Sequence, residues 1–256
     1  MARAVRRLSH TSTAGVVQER CGWSRDVQDR RLQTGKRVRE RSGTMMEKEA
    51  TKNLGGLEIG ALDLSEIEEA LGVISRGMRN NPIHVAAFGA APERRRKSLH
   101  RLFGAAFAVV GLQKHMLAAR GEDGTILGVM GMMPPGDCLL GPGQRLRMLP
   151  SLLRNGPRSA GRTMSWLGAW GKRDPDERHW HLGPVAVDAH LQGMCIGTKL
   201  MRVFRAQMDA AGEDAYLETN KEINVRFYER FGFEVVGEQD VIGVPNWFML
   251  RRAGRR

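Results

Sequence analysis

The spacing of hydrophobic residues separates a polar beginning of the chain from a folded part that starts near Leu54. The segment from Leu57 to Leu62 alternates between apolar and other residues, which predicts a first strand. Ser65 and Glu68 stand three residues apart, as in a capping box, and predict a helix that runs through about Arg76.

A second helix is predicted to start at Pro92, because proline suits the first helical turn and apolar residues follow at helical spacing as far as Ala106. The four cations from Arg94 to Lys97 are expected to form its solvated beginning, although positive charge there opposes the helix macrodipole.

A hairpin is predicted next, from two short apolar runs at His115 to Ala119 and Ile126 to Met133 that flank an Asp-Gly turn. The long segment 136–178 follows, with one predicted helix from Arg145 to Leu153 and a second around Met164 to Trp170. A connection of this length between strands is usually a functional loop or a helical insertion.

The last third of the chain alternates strands and helices most regularly. The predicted strands are 180–188, 215–219, 233–242 and 247–251, and the predicted helices are 196–211 and 222–231. Together the elements predict an α/β (α+β) fold: one domain over residues 54–252, with a mixed central sheet of about six to seven strands flanked by helices and at least one parallel crossover.

The charge of the chain is concentrated before this domain. The whole sequence carries a formal net charge of +12, and the first 44 residues hold 11 basic and 4 acidic residues, a net of +7. We expect residues 1–45 to be a disordered basic extension, because so polar a segment cannot bury enough apolar surface to offset its ordering entropy. A transit peptide, a phosphate-binding arm and a translation start at Met45 or Met46 are alternative interpretations of this extension.

The remaining charge of +5 does not favour a nucleic-acid partner, and the sequence has no long apolar run that would span a membrane. The three cysteines, Cys21, Cys138 and Cys195, lie far apart without a CxxC or Cys/His spacing. This spacing argues against a disulfide framework and against a zinc knuckle, so we expect a reducing, cytoplasmic compartment and no metal.

A first constellation that carries chemistry runs from His181 to Thr198, where a buried strand leads into a glycine-containing turn and a helix. Consecutive backbone N–H groups at a helix N-terminus form an anion site suited to a pyrophosphate. The segment has neither the Gly-Lys-Ser/Thr of a Walker loop nor the three-glycine dinucleotide fingerprint.

This constellation resembles the acetyl-CoA motif of the GNAT superfamily of acyl-CoA-dependent N-acetyltransferases, Gln/Arg-x-x-Gly-x-Gly/Ala after a Val-x-Val strand. Gln192 and Gly197 match that motif, and Cys195 stands where the family usually has its first glycine. The amide that would bind phosphate is retained at Cys195, provided that this position does not need a positive φ.

A second constellation, from Tyr216 to Phe233, is similar to the second block of the same family, Asn…Phe-Tyr-x-x-x-Gly-Phe. Asn224 and Tyr228 are four residues apart and therefore share one helix face, and Gly232 follows as a C-cap. The specific motifs lie only between His181 and Phe233, and the segment 136–178 is a departure from the family.

The resemblance implies direct attack of an amine on the acetyl-CoA thioester. The cofactor-binding residues implied are the strand Val185, Ala186 and Val187, the turn and helix start Gln192, Gly193, Met194, Cys195, Ile196, Gly197 and Thr198, and Asn224. Tyr228 is the implied general acid, and Glu218 the implied base, with His181 as its rival. A cysteine nucleophile is not needed for direct transfer.

The acyl acceptor is expected to be a small-molecule primary amine, with a peptide or protein acetyltransferase as the alternative. A non-catalytic acyl-CoA sensor is a third interpretation, and a homodimer is left open.

Overall fold

The computed structural model describes residues 56–138 and 140–254. The sequence prediction for residues 1–45 therefore lies outside the described residues. The described strands are β1 (Glu58–Ala61), β2 (Met116–Arg120), β3 (Ile126–Met133), β4 (His179–Val187), β5 (Asp214–Thr219), β6 (Glu234–Val241) and β7 (Val244–Arg251).

These strands form one seven-stranded sheet in the order β1-β2-β3-β4-β5-β7-β6. Neighbouring strands are antiparallel except β4 and β5, which are parallel. The mixed sheet confirms the predicted fold class, including the parallel crossover. A crossover between parallel strands needs a long connection, which here contains a helix.

The described helices are α1 (Ile67–Gly77), α2 (Pro82–Phe88), α3 (Pro92–Val110), α4 (Pro142–Leu153), α5 (Pro157–Gly171), α6 (Ile196–Ala211) and α7 (Glu222–Glu229). Short 3₁₀ turns precede α1, β2 and α6. The helices α4 and α5 both lie in the long segment between β3 and β4, where two helices were predicted.

Helices cover both faces of the sheet. On one face, apolar residues of α6 such as Leu200 and Phe204 pack with Met130 and Leu217 of the strands. On the other face, α1 and α3 pack on Ala118 and Val129. A third apolar cluster joins α2, α3, α4 and α5 to Val241 and Val244 at the β6–β7 hairpin, so these four helices form a helical layer that stays in contact with the sheet.

The cap of the first helical segment differs from the sequence prediction. Asp63 and Glu66 form the capping box, not Ser65 and Glu68, and Asp63 accepts hydrogen bonds from the Ser65 backbone and hydroxyl. The box moves two residues earlier because a 3₁₀ turn (Leu64–Glu66) precedes α1, and the carboxylate of Glu66 also binds Arg120 of β2.

The predicted solvated start of α3 is also wrong at one position. Arg95 is buried, and its guanidinium donates to the carbonyls of Arg79, Gly89 and Ala90 and to the side chain of Asn80. These carbonyls surround α2, a helix that the hydrophobic spacing did not predict. Arg95 is buried because it satisfies backbone acceptors that would otherwise lack partners.

Among the described residues, no helix is both long enough and apolar enough to cross a membrane.

Candidate active site

The strands β4 and β5 separate from one another at the centre of the sheet. They pair over only three residues of each strand, from His179 opposite Asp214 to His181 opposite Tyr216. Beyond that point β4 stays paired with β3 as far as Val187 but has no strand partner on its β5 side within the described sheet. The gap leaves the backbone of Val185 to Val187 at an open edge, where an extended ligand can add as a strand does.

The loop after β4 carries two residues with positive φ. Gly193 has a φ of 87° and Cys195, the N-cap of α6, has a φ of 65°. Cys195 thus adopts a left-handed conformation that is typical of glycine. This conformation costs a non-glycine residue about 1–2 kcal/mol. The amides of Ile196, Gly197 and Thr198 open α6, whereas the Met194 amide donates to the Leu191 carbonyl inside the loop.

Side chains below the loop hold it in place. The amide nitrogen of Gln192 donates to the carbonyls of Gly77 and Val187, at 2.9 and 3.2 Å, and so joins the ends of α1 and β4. Asp188 forms an ion pair with Arg76 at 2.6 Å. Burial opposes ionisation of Asp188, but this ion pair outweighs it and lowers the pKa of the carboxyl group. Gln192 therefore stabilises the loop through its two hydrogen bonds.

Asn224 and Tyr228 lie on the α7 face that borders the gap. Asn224 donates to the Thr219 hydroxyl at 3.2 Å, and Tyr228 packs edge-on against Phe227 and Phe233. Burial raises the pKa of Tyr228 above its usual value, so the phenol stays protonated and can act as an acid.

The two rival bases of the sequence analysis form one hydrogen-bonded pair. Nε2 of His181 lies 2.9 Å from the carboxylate of Glu218, and the Glu218 side chain is 3% exposed. Burial alone would lower the pKa of His181, but the Glu218 carboxylate outweighs it and holds this pKa well above the usual value.

A cavity of about 300 Å³ connects the strand gap to the helical layer. Its lining from the gap includes Pro184, Val185, Glu218, Asn224 and Tyr228. Its lining from the helices is largely apolar and includes Leu102, Met148, Leu152, Met164, Trp166 and Trp170. The structure thus brings Glu218 and Tyr228 to one cavity, while Gln192 and the start of α6 lie outside its lining.

The motif region has a counterpart among known proteins. Residues 111–233 match the sequence model of the acetyltransferase (GNAT) family. The protein therefore carries a GNAT acetyltransferase domain in this region. GNAT acetyltransferases are N-acyltransferases, so the protein is an enzyme of the acyltransferase class.

Solved structures share the GNAT fold. An acetyltransferase of Corynebacterium glutamicum, described as histone acetyltransferase HPA2 and related acetyltransferase, is 19% identical with a TM-score of 0.59, over 78% of this chain and 98% of that one. Arylalkylamine N-acetyltransferase 2 of Aedes aegypti is 12% identical (TM-score 0.51, 77% and 99% coverage), and the polyamine N-acetyltransferase of Drosophila melanogaster is 13% identical (TM-score 0.51, 77% and 99%).

The polar residues beside His181 were not predicted from the sequence. Asp174, after α5, lies beside both His179 and His181 of β4. The signal that could have found them is His179-x-His181, because residues two apart on a strand point to the same face. The apolar lining from α4 and α5 carried no comparable signal in the sequence of this GNAT enzyme.

Proposed function

We propose that the protein transfers the acetyl group of acetyl-CoA directly to the primary amine of a small molecule. The observation that carries this proposal is the cavity that runs from the gap between β4 and β5 to the apolar helices, with Glu218 and Tyr228 on its wall. An acid and a base are thus available where the two substrates would meet.

Acetyl-CoA is the donor substrate in this proposal. The amides that open α6, from Ile196 to Thr198, would bind its pyrophosphate together with the Gly193 and Cys195 backbone, because a helix N-terminus favours anions. The pantetheine arm would pair with Val185, Ala186 and Val187 at the open edge of β4. Val185 and Tyr228 both line the cavity, so the thiol end of the arm would lie in the cavity near Tyr228. Because acetyl-CoA is the donor, we propose a cytoplasmic location for the protein.

The reaction requires that one proton is removed from the amine and that one proton is supplied to the departing thiolate. The amine nitrogen attacks the thioester carbonyl carbon, a C–N bond forms, and the C–S bond breaks. The Glu218 carboxylate accepts the amine proton, directly or through a water molecule, while His181 donates to that carboxylate and orients it. The Tyr228 hydroxyl gives its proton to the departing thiolate, which leaves as CoA.

The acceptor is a small amine with an apolar body. A cavity of about 300 Å³ is small for a ligand pocket and is closed on the helical side by buried side chains such as Trp166 and Leu152. Similar folds named as arylalkylamine, polyamine and agmatine N-acetyltransferases support a small amine, and the first of these names fits an apolar body.

The test is a screen of primary amines with acetyl-CoA, in which release of free CoA is measured. We expect turnover with small apolar or arylalkyl amines and little with peptides. Turnover with peptides alone would replace the small-amine proposal, and acetyl-CoA binding without any turnover would identify a sensor.

Tyr228→Phe tests the chemistry. We expect kcat to fall by at least about tenfold, because the thiolate loses its proton donor, with an unchanged Kd for acetyl-CoA. Tyr216→Phe is the matched control, since the Tyr216 hydroxyl donates to the Arg173 carbonyl in the core and Tyr216 does not line the cavity. An unchanged kcat in Tyr228→Phe contradicts the assigned role.

A further inference from the structure

Three potential metal ligands, Cys138, His179 and His181, meet at the cavity wall, with Asp174 beside them. Cys138 lies in the loop after β3, Asp174 follows α5, and His179 and His181 share one face of β4. The Cys138 sulfur and one ring nitrogen of each histidine lie within 4.8 Å of one another. Oδ1 of Asp174 lies 3.5 Å from Nε2 of His179 and 3.3 Å from Nδ1 of His181.

These two contacts are ion pairs that are longer than a well-formed charge-assisted hydrogen bond. A charge-assisted N–H···O bond has a length of about 2.7–2.9 Å. In a tetrahedral zinc site, by contrast, ligand bonds of about 2.0–2.2 Å place neighbouring nitrogen and oxygen ligands about 3.3–3.5 Å apart. The carboxylate oxygen and the two ring nitrogens therefore have the spacing of ligands around a common centre.

The inward atoms of this cluster are buried and unsatisfied. Asp174 Oδ1, His179 Nε2 and His181 Nδ1 have no hydrogen-bond partner among the described residues. The His179 side chain is 5% exposed and that of Asp174 7%. These buried atoms face one another only across long ion pairs, so a cation between them would satisfy them better.

The outward nitrogens orient both imidazoles. Nδ1 of His179 lies 2.8 Å from the Glu177 carbonyl, and Nε2 of His181 lies 2.9 Å from the Glu218 carboxylate. Both partners are acceptors, so each outward nitrogen keeps its proton, and a metal ion in the cluster would displace the proton of the inward nitrogen. Metal-binding histidines are held in this way, by a carbonyl or a carboxylate on the second ring nitrogen.

We propose that Cys138, His179 and His181 bind one zinc ion and that the neighbouring Asp174 carboxylate completes its tetrahedral coordination. A thiolate with two imidazoles favours zinc over the harder cations, which prefer oxygen ligands. Binding deprotonates the Cys138 thiol and releases its proton to solvent. No metal was predicted from the sequence, because its cysteines are not closely spaced and the other ligands lie 36 residues or more from Cys138.

Four protein ligands make this a structural site. The ion ties the loop after β3 and the end of α5 to β4, and so fixes the helices that line the cavity. It also keeps the proton of His181 on Nε2, where it orients Glu218. The zinc proposal does not depend on the proposed acetyl transfer, because zinc binding requires neither acetyl-CoA nor an amine.

Zinc content is the first test. The full chain is produced with zinc in the medium, purified without metal-affinity resin, dialysed and analysed for metals. We expect about one zinc per chain, and removal by a strong chelator that lowers Tm by about 5–10 °C, restored when zinc is added. A chain that contains no zinc and whose Tm does not respond to added zinc overturns the proposal.

Variants locate the site. Cys138→Ser and His179→Gln are expected to lose most of the zinc, whereas His100→Gln, at a histidine on α3 that pairs with Glu68, retains it. Zinc retained in all three variants places the ion elsewhere and overturns the proposal. Should a variant fail to fold, cobalt in the wild-type chain decides: tetrahedral absorption bands with a thiolate charge-transfer band support the site, and octahedral bands without it contradict it.

Discussion

His84 is a neutral imidazole in the interior of the helical layer. It lies on α2, is buried against Trp166, and its Nδ1 lies 2.8 Å from the Met78 carbonyl. Burial is the main cause that lowers the pKa of His84 to about 4, and the charges of Lys221 and Arg95 lower it further, against the opposing hydrogen bond to Met78.

This burial predicts a loss of stability in mild acid. An unfolded His84 takes up a proton below about pH 6.5, whereas the folded form resists until about pH 4, so the folded state is fully favoured above 6.5 and loses stability as pH falls towards 4. Between pH 7 and pH 5 we expect wild type to lose about 2 kcal/mol more free energy of unfolding than His84→Gln. Urea denaturation at both pH values measures the difference.

The control for this prediction is His100→Gln, which removes a partly exposed histidine of α3. We expect it to follow wild type at both pH values. Equal acid losses in wild type and His84→Gln would show that His84 does not contribute.

Cys195 shows how far one residue predicts the local backbone. Its position in the motif was recognised from Gln192 and Gly197, yet the residue type argued against a positive φ. The structure has a φ of 65° there, because the loop and α6 around it determine the conformation. A residue type indicates which conformation is cheap, whereas the surrounding chain decides which one is adopted.

At the scale of elements, the end of α1 is fitted closely to the end of β4. A Cβ added to Gly77 would lie 2.3 Å from the Val187 carbonyl oxygen. The carbonyls of both residues accept hydrogen bonds from Gln192, so a shift of α1 would also move the loop before α6.

Gly77→Ala is therefore expected to destabilise the fold by about 1–3 kcal/mol and to weaken acetyl-CoA binding. The Tm and the Kd for acetyl-CoA are the measurements. Gly104→Ala in α3 is the control, since its Cβ would make only an ordinary contact with Leu71 at 3.7 Å and alanine favours the helix by up to about 1 kcal/mol. Identical behaviour of the two variants would argue against a close fit at Gly77.

Elements with strong local patterns were predicted well. The strand at β4, the helix α6 and the hairpin of β2 and β3 were predicted to within a few residues of their observed bounds, because alternation and helical spacing directly report which side is buried. The short helix α2 and the burial of Arg95 were missed, since both depend on contacts between α2 and α3 that leave no periodic trace in either segment.

At the scale of the whole molecule, α4 and α5 determine what the cavity can accept. Gly168 of α5 lines the cavity, and a Cβ there would meet no atom within 4 Å. A larger side chain at this position would thus enter the cavity without disturbing the fold.

Gly168→Leu is expected to raise KM for the amine by about tenfold or more, because the acceptor loses space, with an unchanged Kd for acetyl-CoA. Steady-state kinetics with the best amine of the screen test this. Gly161→Leu is the matched control: it lies on the same helix, its Cβ is equally unobstructed, and it does not line the cavity. A KM that rises equally in both variants, or in neither, would remove α5 from the acceptor site.

The sequence by itself determined the elements that we propose for acetyl-CoA binding. The strand, turn and helix from Val185 to Thr198 and the helix with Asn224 and Tyr228 are continuous segments, and local spacing is sufficient to recognise them. Only the tertiary structure decided that Glu218 pairs with His181, that the helices α3 to α5 close a cavity, and that Cys138 and Asp174 meet two histidines of β4. Such contacts arise from how distant elements pack, and local hydrophobic periodicity reports the buried side of an element but not what lies against it.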